Sequence, residues 1–252
     1  MSASHTFVRL ACLAVTVVSL GCGRKPAEHI EWMTMGTVAS FLCRDADGLG
    51  RAAEVMAAFK NVETLLDAHD PNSELSRLAA FPEEEILARC DERVRPCYEM
   101  AFRLMRESDG AFNPRWRGPA TLDLGGIAKG FALDLAAERI VGQDAMIDLG
   151  GNLKACGGEW KVGVYGEADS TIRLEPLQAC ATSAEYARGK HIYDGRTGLA
   201  VTNNVYSVTV AHPDSAMLAD GLSTILFIFG REKGDEFLRK YHPEAQAIWQ
   251  LR

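Results

Sequence analysis

Apolar and polar positions alternate between two periods along most of this chain, and the switches between them mark out its elements. Alternation through WMTMGTVASFLC, Trp32 to Cys43, predicts a strand, and the run from Arg51 then places Val55, Phe59, Val62 and Leu66 at helical spacing. The turn-rich DAHDPNS leads into a short helix, ELSRLAA. Asn72 or Ser73 suits its cap, because their side-chain oxygens accept the orphan N–H groups of a first turn. A longer helix is expected over Arg95 to Glu107. Glycine and proline punctuate DGAFNPRWRGPA as a loop, and LDLGGIAKGFALDLAAERIV reads as a glycine turn opening a helix. AMIDLGGNLKACG and WKVGVYG read as strands flanking a turn. The last third alternates strands (TIRLEPL, ACATSA, NVYSVTVAH) with one helix, Ala216 to Phe229. Strands and helices mix without regular βαβ spacing and without an internal repeat. The pattern therefore predicts a single α+β domain with a mixed sheet and packed helices, not a Rossmann-type doubly wound sheet.

The first residues follow another logic. Residues 1–21 hold Arg9 as their only Arg or Lys, no acid, and an apolar stretch of 11 residues from Leu10 to Leu20. A helix needs about 20 to cross a bilayer, so the segment reads as an export signal. Gly21-Cys22 resembles a bacterial lipobox, with Ser19 where Leu is usual. On that reading Cys22 is lipidated and becomes the mature N-terminus, residues 22–30 form a tether, and residues 31–252 form the domain. The expected location is the bacterial cell envelope, lipid-anchored to a membrane and facing the periplasm or exterior.

The 252 residues are 47% hydrophobic and 24% charged, which suits a globular domain and excludes a disordered or collagen-like chain. Lys and Arg number 27 against 34 Asp and Glu, a net charge of −7, so no global basic field exists to collect nucleic acid. Of 7 cysteines, Cys12 and Cys22 belong to the signal and lipid site. Cys43, Cys90, Cys97, Cys156 and Cys180 remain, an odd number without zinc spacing. They read as small buried hydrophobes, with a Cys90–Cys97 bridge as the alternative.

Three segments carry candidate chemistry. In LDLGGIAKGFALD, Leu122 to Asp134, backbone amides at Gly125-Gly126 and the Lys129 ammonium suit a phosphate; equally, the glycines only permit a tight turn and Lys129 is solvated. In MLADGLSTILFIFG, Met217 to Gly230, Leu218, Leu222, Ile225 and Phe229 share one face, while Asp220 and Thr224 lie one turn apart opposite them. Phe227 also sits on that opposite side, so the helix is expected to be buried nearly all round. Asp220 with Ser223 and Thr224 offers the hard oxygens that Mg²⁺ or Ca²⁺ prefers; the plainer alternative is a dipole-stabilised Asp with hydroxyls bonded back to the helix. In KHIYDGRTG, Lys190 to Gly198, His191 with Asp194 suits proton transfer or ligand binding, against a structural histidine. DLGGN at Asp148 to Asn152 adds a second close backbone approach, and MGT at 35–37 offers a soft apolar side chain able to cover a flat ring.

These segments recur in one order: MGT, LDAHDPNSELSRL at 66–78, SDGAFNP at 108–114, LDLGGIAKGFALD, MIDLGGNL, CATSAEY at 180–186, HIYDGRTG and ADGLSTILFIFG at 219–230. In that order the chain resembles the ApbE family of FAD:protein FMN transferases over most of its length. The resemblance implies an exported enzyme that splits FAD in the presence of Mg²⁺ and attaches FMN through a phosphoester bond to a Thr or Ser of an exported or membrane-bound acceptor protein. It implies FAD contacts from Met35, His69, Ala111, Phe112, Asn113, Asp123, Lys129, His191 and Ile192. It implies metal ligation by the Gly126 main-chain oxygen, Asp220, Ser223 and Thr224, with Asp220, His191 and Lys129 as the catalytic groups. The chain departs from the family pattern at His69, Ala79, Asn113, Ala184, Tyr193 and Gly195, and carries only Arg115 to Thr121 where the family commonly has some tens of residues. Two other readings share the site: an FAD pyrophosphatase releasing FMN and AMP, and an exported flavin-binding lipoprotein without turnover.

Overall fold

The computed structural model describes residues 26–163, 171–185 and 191–252. The signal, Cys22, Tyr186 and Lys190 lie outside the described residues. Two strands, β1 (Glu28–Thr34) and β2 (Thr37–Cys43), are followed by four helices, α1 (Gly48–Leu66), α2 (Glu74–Leu78), α3 (Glu83–Arg89) and α4 (Arg95–Glu107). Then come α5 (Ala128–Arg139), β3 (Ala145–Leu149), β4 (Asn152–Ala155), β5 (Trp160–Gly163), β6 (Thr171–Leu174) and β7 (Ala179–Ala184). The chain ends with β8 (Tyr193–Asp194), β9 (Leu199–Ala200), β10 (Val205–His212), α6 (Ala216–Phe229), α7 (Arg231–Tyr241) and β11 (Gln246–Leu251).

Seven strands form one sheet in the order β1-β2-β3-β4-β7-β10-β11, antiparallel at every pairing. The α+β class is observed, with the sheet's two faces serving different layers. Phe41, Cys43, Ile147 and Leu149 join the main core with Val55, Phe59, Leu133, Leu222 and Phe227 of α1, α5 and α6. The alternate residues Leu42, Met146, Leu153 and Cys180 face a smaller cluster with Trp160, Val162 and Leu174 of the β5–β6 hairpin. α6 is buried nearly all round, as its sequence predicts: Asp220, Gly221, Leu222, Ser223 and Ile225 to Ile228 are all buried.

Several expectations are corrected. The strand read through Met35 is a hairpin: Met35 and Gly36 both take positive φ, 48° and 69°, the two-residue turn geometry that matches strand twist. β1 begins at Glu28, inside the stretch read as tether. The last third holds a second helix, α7, beyond Gly230, and a closing strand, β11; α3 was also unforeseen. α7 buries only Gly234, Phe237 and Leu238, too narrow a stripe to announce a helix by periodicity. Ser73, not Asn72, caps α2, accepting Ser76 N–H at 3.0 Å. All five cysteines from Cys43 onward are free and buried, so Cys90 and Cys97 are not bridged. Among the described residues no helix is long and apolar enough to cross a membrane.

Candidate active site

The site grows from a close crossing of α5 and α6. A Cβ at Gly130 would stand 2.2 Å from the Ala216 carbonyl oxygen and 2.8 Å from Asp220 Cβ, so only glycine permits the approach. Through that contact Gly130 N–H donates to Asp220 Oδ2 at 3.0 Å, and Lys129 Nζ stands 3.5 Å from Asp220 Oδ1. Lys129 also donates to the Gly125 carbonyl at 3.2 Å. Asp220 is 4% exposed, and its carboxylate sits between a main-chain donor and an ammonium. A buried carboxylate without such partners would be costly.

The crossing angle is held one turn further on. Asp134 of α5 accepts Ala216 N–H at 2.8 Å, Met217 N–H at 2.9 Å and the Ser215 hydroxyl at 3.1 Å, which closes the first turn of α6. Buried Lys154 balances that charge at 3.2 Å and donates to the Asp214 carbonyl at 2.5 Å. Sequence reasoning missed Asp134 and Lys154. The available signal was an acid one turn beyond the Lys129-Gly130 pair on the same helix.

The two hydroxyls beside Asp220 diverge. A Cβ at Gly126 would lie 3.2 Å from Thr224 Oγ1 and 3.1 Å from the Phe112 ring, so Thr224 faces the glycine turn closely while donating to the Asp220 carbonyl at 3.3 Å. Ser223 instead donates to the Asp220 carbonyl at 2.9 Å and meets Ser183 Oγ of β7 at 2.9 Å, tying α6 to the sheet. Both hydroxyls bond back to their helix, and Thr224 alone of the two is placed against Gly126. Among the described residues no group of three or more His, Cys, Asp or Glu is placed to hold a metal ion. What gathers here is the Asp220 carboxylate, the Gly125 main-chain oxygen, reached with Asp220 by Lys129, and the Thr224 hydroxyl against Gly126. That is a donor set of hard oxygens, and it fits Mg²⁺ better than a soft transition metal.

The remaining expected residues fall into two groups: Asp123, the 111–113 segment and the HIYDGRTG segment lie together beside the glycine turn, while Met35 and His69 are held on and after α1. Asp123 Oδ1 accepts Gly125 N–H at 2.9 Å and its Oδ2 accepts Trp116 Nε1–H at 3.1 Å, with Arg117 at 3.4 Å. The 108–113 loop supports the HIYDGRTG segment: Gly195 N–H donates to the Ala111 carbonyl at 2.9 Å, and Asn113 Nδ2 donates to the Gly195 carbonyl at 3.4 Å. A Cβ at Gly195 would stand 2.3 Å from Asn113 Cβ. Ala111, Phe112 and Ile192 are buried, while His191 is exposed. Asp194 is bound by Arg196 through both carboxylate oxygens, which holds its carboxyl below the usual range. Met35 N–H donates to Glu63 Oε1 at 2.7 Å, docking the hairpin tip on the last turns of α1. Exposed His69 follows α1 directly, its N–H bonded to Asp67 at 2.8 Å. Gly150 and Gly151, at φ 65° and 91°, make the β3–β4 turn and bring the chain against Thr37, a structural use of that glycine pair.

The short 115–121 loop is tightly fastened. Arg115 donates to the carbonyls of Ala79 at 2.6 Å and Pro119 at 2.5 Å, and also to that of Phe81. Trp116 stacks on Tyr193, centroids 4.2 Å apart and planes 12° off parallel, and the Arg117 guanidinium lies 4.6 Å from the Trp116 ring centroid. The departure at Tyr193 thus has a partner in the short loop.

Fold and site together define an α+β domain in which a buried aspartate on an apolar helix meets a glycine turn and a lysine of the neighbouring helix. The chain belongs to the ApbE family, whose profile matches residues 35–119 and 115–249. The two matched stretches meet in the short loop. The chain is 27% identical to an FAD:protein FMN transferase of Treponema pallidum (strain Nichols), covering 99% of this chain and 92% of that protein. It is 38% identical to an FAD:protein FMN transferase of Klebsiella pneumoniae (strain 342) over 47% of this chain and 42% of that one. Among solved structures it is similar to the flavin transferase ApbE of Vibrio cholerae, with TM-score 0.72, 22% identity and coverage of 90% and 94%. It is also similar to the ApbE protein of Thermotoga maritima, with TM-score 0.76, 20% identity and coverage of 89% and 94%.

Proposed function

We propose that this protein is an FAD:protein FMN transferase acting with Mg²⁺ on an exported acceptor. The observation that carries the reading is the convergence of Lys129, Asp220, Thr224 and the 125–126 turn at one helix crossing, from segments about ninety residues apart. In the reaction an acceptor Thr or Ser oxygen forms a bond to the FMN phosphorus. The bond from that phosphorus to the bridging oxygen breaks, and AMP leaves with the electron pair.

Asp220, the Thr224 hydroxyl and the Gly126 main-chain oxygen would hold the cation, with Ser223 positioning the helix through Ser183. When bound, Mg²⁺ supplies charge neutralisation for the diphosphate. Lys129 binds diphosphate oxygens with its ammonium. His191, exposed next to the buried Ile192, would take the hydroxyl proton as general base. Asp123, Asn113, Ala111, Phe112 and Ile192 shape the flavin-nucleotide wall, and Met35 with His69 borders it from the α1 side. Residues 1–21 and Cys22 would deliver and anchor the enzyme at the cell envelope, which brings it to exported acceptors; a lipid-sized mass increment lost in Cys22→Ser would test that placement.

The test is incubation of the protein with FAD, Mg²⁺ and envelope protein. The reading expects flavin fluorescence that survives denaturation on a protein band, with AMP released. Free FMN and AMP without a labelled band would identify the pyrophosphatase. No AMP under any condition would leave a flavin-binding protein without turnover.

A further inference from the structure

Resting on the cation reading above, the geometry points to a second role for Lys129. We propose that its ammonium occupies the cation's place in the empty enzyme and is released toward the substrate diphosphate when the divalent cation arrives. Lys129 Nζ lies between the Asp220 carboxylate, at 3.5 Å, and the Gly125 carbonyl, at 3.2 Å. Those are a carboxylate and a main-chain oxygen of the same glycine turn, the donor types a hard cation takes.

The pairing follows from burial. The Asp220 side chain is 6% exposed, so its negative charge needs a counter-charge before any metal binds. Gly130 N–H supplies one hydrogen bond but no charge. Among the described residues, Lys129 is the cation paired with Asp220. Its own side chain is 19% exposed and ends on four flexible carbons, so it can exchange this position for solvent or phosphate without moving the helix. Thr224 and Gly126 stay where they are during that exchange, because the Thr224 hydroxyl is bonded to its own helix and the turn is pinned by Asp123.

An ammonium and a divalent cation at one carboxylate repel, so cation binding weakens the Lys129–Asp220 contact and frees the ammonium. Diphosphate binding draws Lys129 away and clears Asp220 for the cation. By linkage each ligand then favours the other to the same degree. The arrangement makes Lys129 contribute to FAD binding chiefly when the cation is present. In a chain whose loop over the site is short, this coupling would select the complete FAD–cation pair over either alone.

The experiment uses Lys129→Met, which keeps the length of the side chain and removes its charge, with Lys129→Gln as a second variant if the first fails to fold. Mn²⁺ affinity of the flavin-free protein, read by EPR, is expected to tighten about tenfold in the variant. The gain should persist at 0.5 M salt, where a long-range charge effect would be screened. FAD affinity, read by flavin fluorescence, is expected to fall about tenfold in the variant with Mg²⁺ and less than twofold without it. Equal Mn²⁺ affinity, a gain that vanishes with salt, or equal FAD losses with and without Mg²⁺ would each overturn the stand-in role while leaving the cation site intact. If neither protein binds Mn²⁺, the cation reading itself fails and the inference falls with it.

Discussion

On the proposed reading, Asp220 concentrates the chemistry of this domain in one side chain. Its carboxylate is buried, bonded to Gly130 N–H and paired with Lys129, so removing its charge strands an ammonium that is itself mostly buried. Asp220→Asn keeps the shape and is expected to lower FAD cleavage at least a hundredfold, with a stability loss of about 1–3 kcal/mol seen in denaturant unfolding. Asp148 offers a pH test of the fold. Burial, with a smaller contribution from Glu31, pushes its carboxyl up from the ordinary 3.8 to about 6. Between those values the native state holds a proton that the unfolded chain has lost, so this group favours the fold at low pH and the benefit disappears as pH rises through about 6. Asp148→Asn is therefore expected to add about 1–2 kcal/mol at pH 7, where the native Asp148 is charged, and to flatten the stability profile between pH 4 and 6; an unchanged profile would show that Asp148 titrates normally. At this scale the i, i+4 spacing made Asp220 and Thr224 legible in the sequence. The turn of Ser223 toward Ser183 was not, because it depends on which strand lies beneath the helix.

At the scale of elements, the α5–α6 crossing is the feature on which the site depends. Gly130→Ala puts a methyl against the Ala216 carbonyl, so the helices must separate. The expected result is a loss of about 1–3 kcal/mol in stability together with weaker cation binding, whereas Ala at exposed Gly142 should cost stability through its positive φ alone and leave cation binding unchanged. Asp134→Ala removes the acceptor of α6's first turn and leaves Lys154 buried without its carboxylate, and unfolding should show a loss of about 3–5 kcal/mol. Asp134→Asn with Lys154→Met should recover part of it. The bounds of α4 and α6 were readable from periodicity and from Pro96 near the start of one and Gly230 at the end of the other. α7 and β11 were not: α7 buries a thin stripe, and β11 alternates partly exposed residues at the sheet edge. The Met35 hairpin was hidden because its turn places a non-glycine residue at positive φ, a conformation that sequence pattern does not announce.

In the whole molecule, the antiparallel sheet is a platform that brings distant segments to one working end. The β1–β2 tip, the β3–β4 turn and Ser183 near the end of β7 share that end, and α6 carries Asp220 across it. Family order in the motifs supplied a list of expected site residues, and that list did not contain the Arg115 staple or the Trp116–Tyr193 stack, which depend on how residues 115–121 fold back onto their neighbours. Trp116→Ala removes both the stack and the Asp123 hydrogen bond, and FAD affinity should fall about threefold to tenfold with a rise in free FMN relative to protein-bound FMN.

The most direct test of the account is a side-by-side assay of the native protein and Asp220→Asn with FAD, Mg²⁺ and envelope protein, reading AMP release and flavin retained on denatured protein. The account predicts AMP and covalent flavin in equal amounts from the native protein, and neither from the variant while it remains folded. Undiminished labelling by folded Asp220→Asn would contradict it.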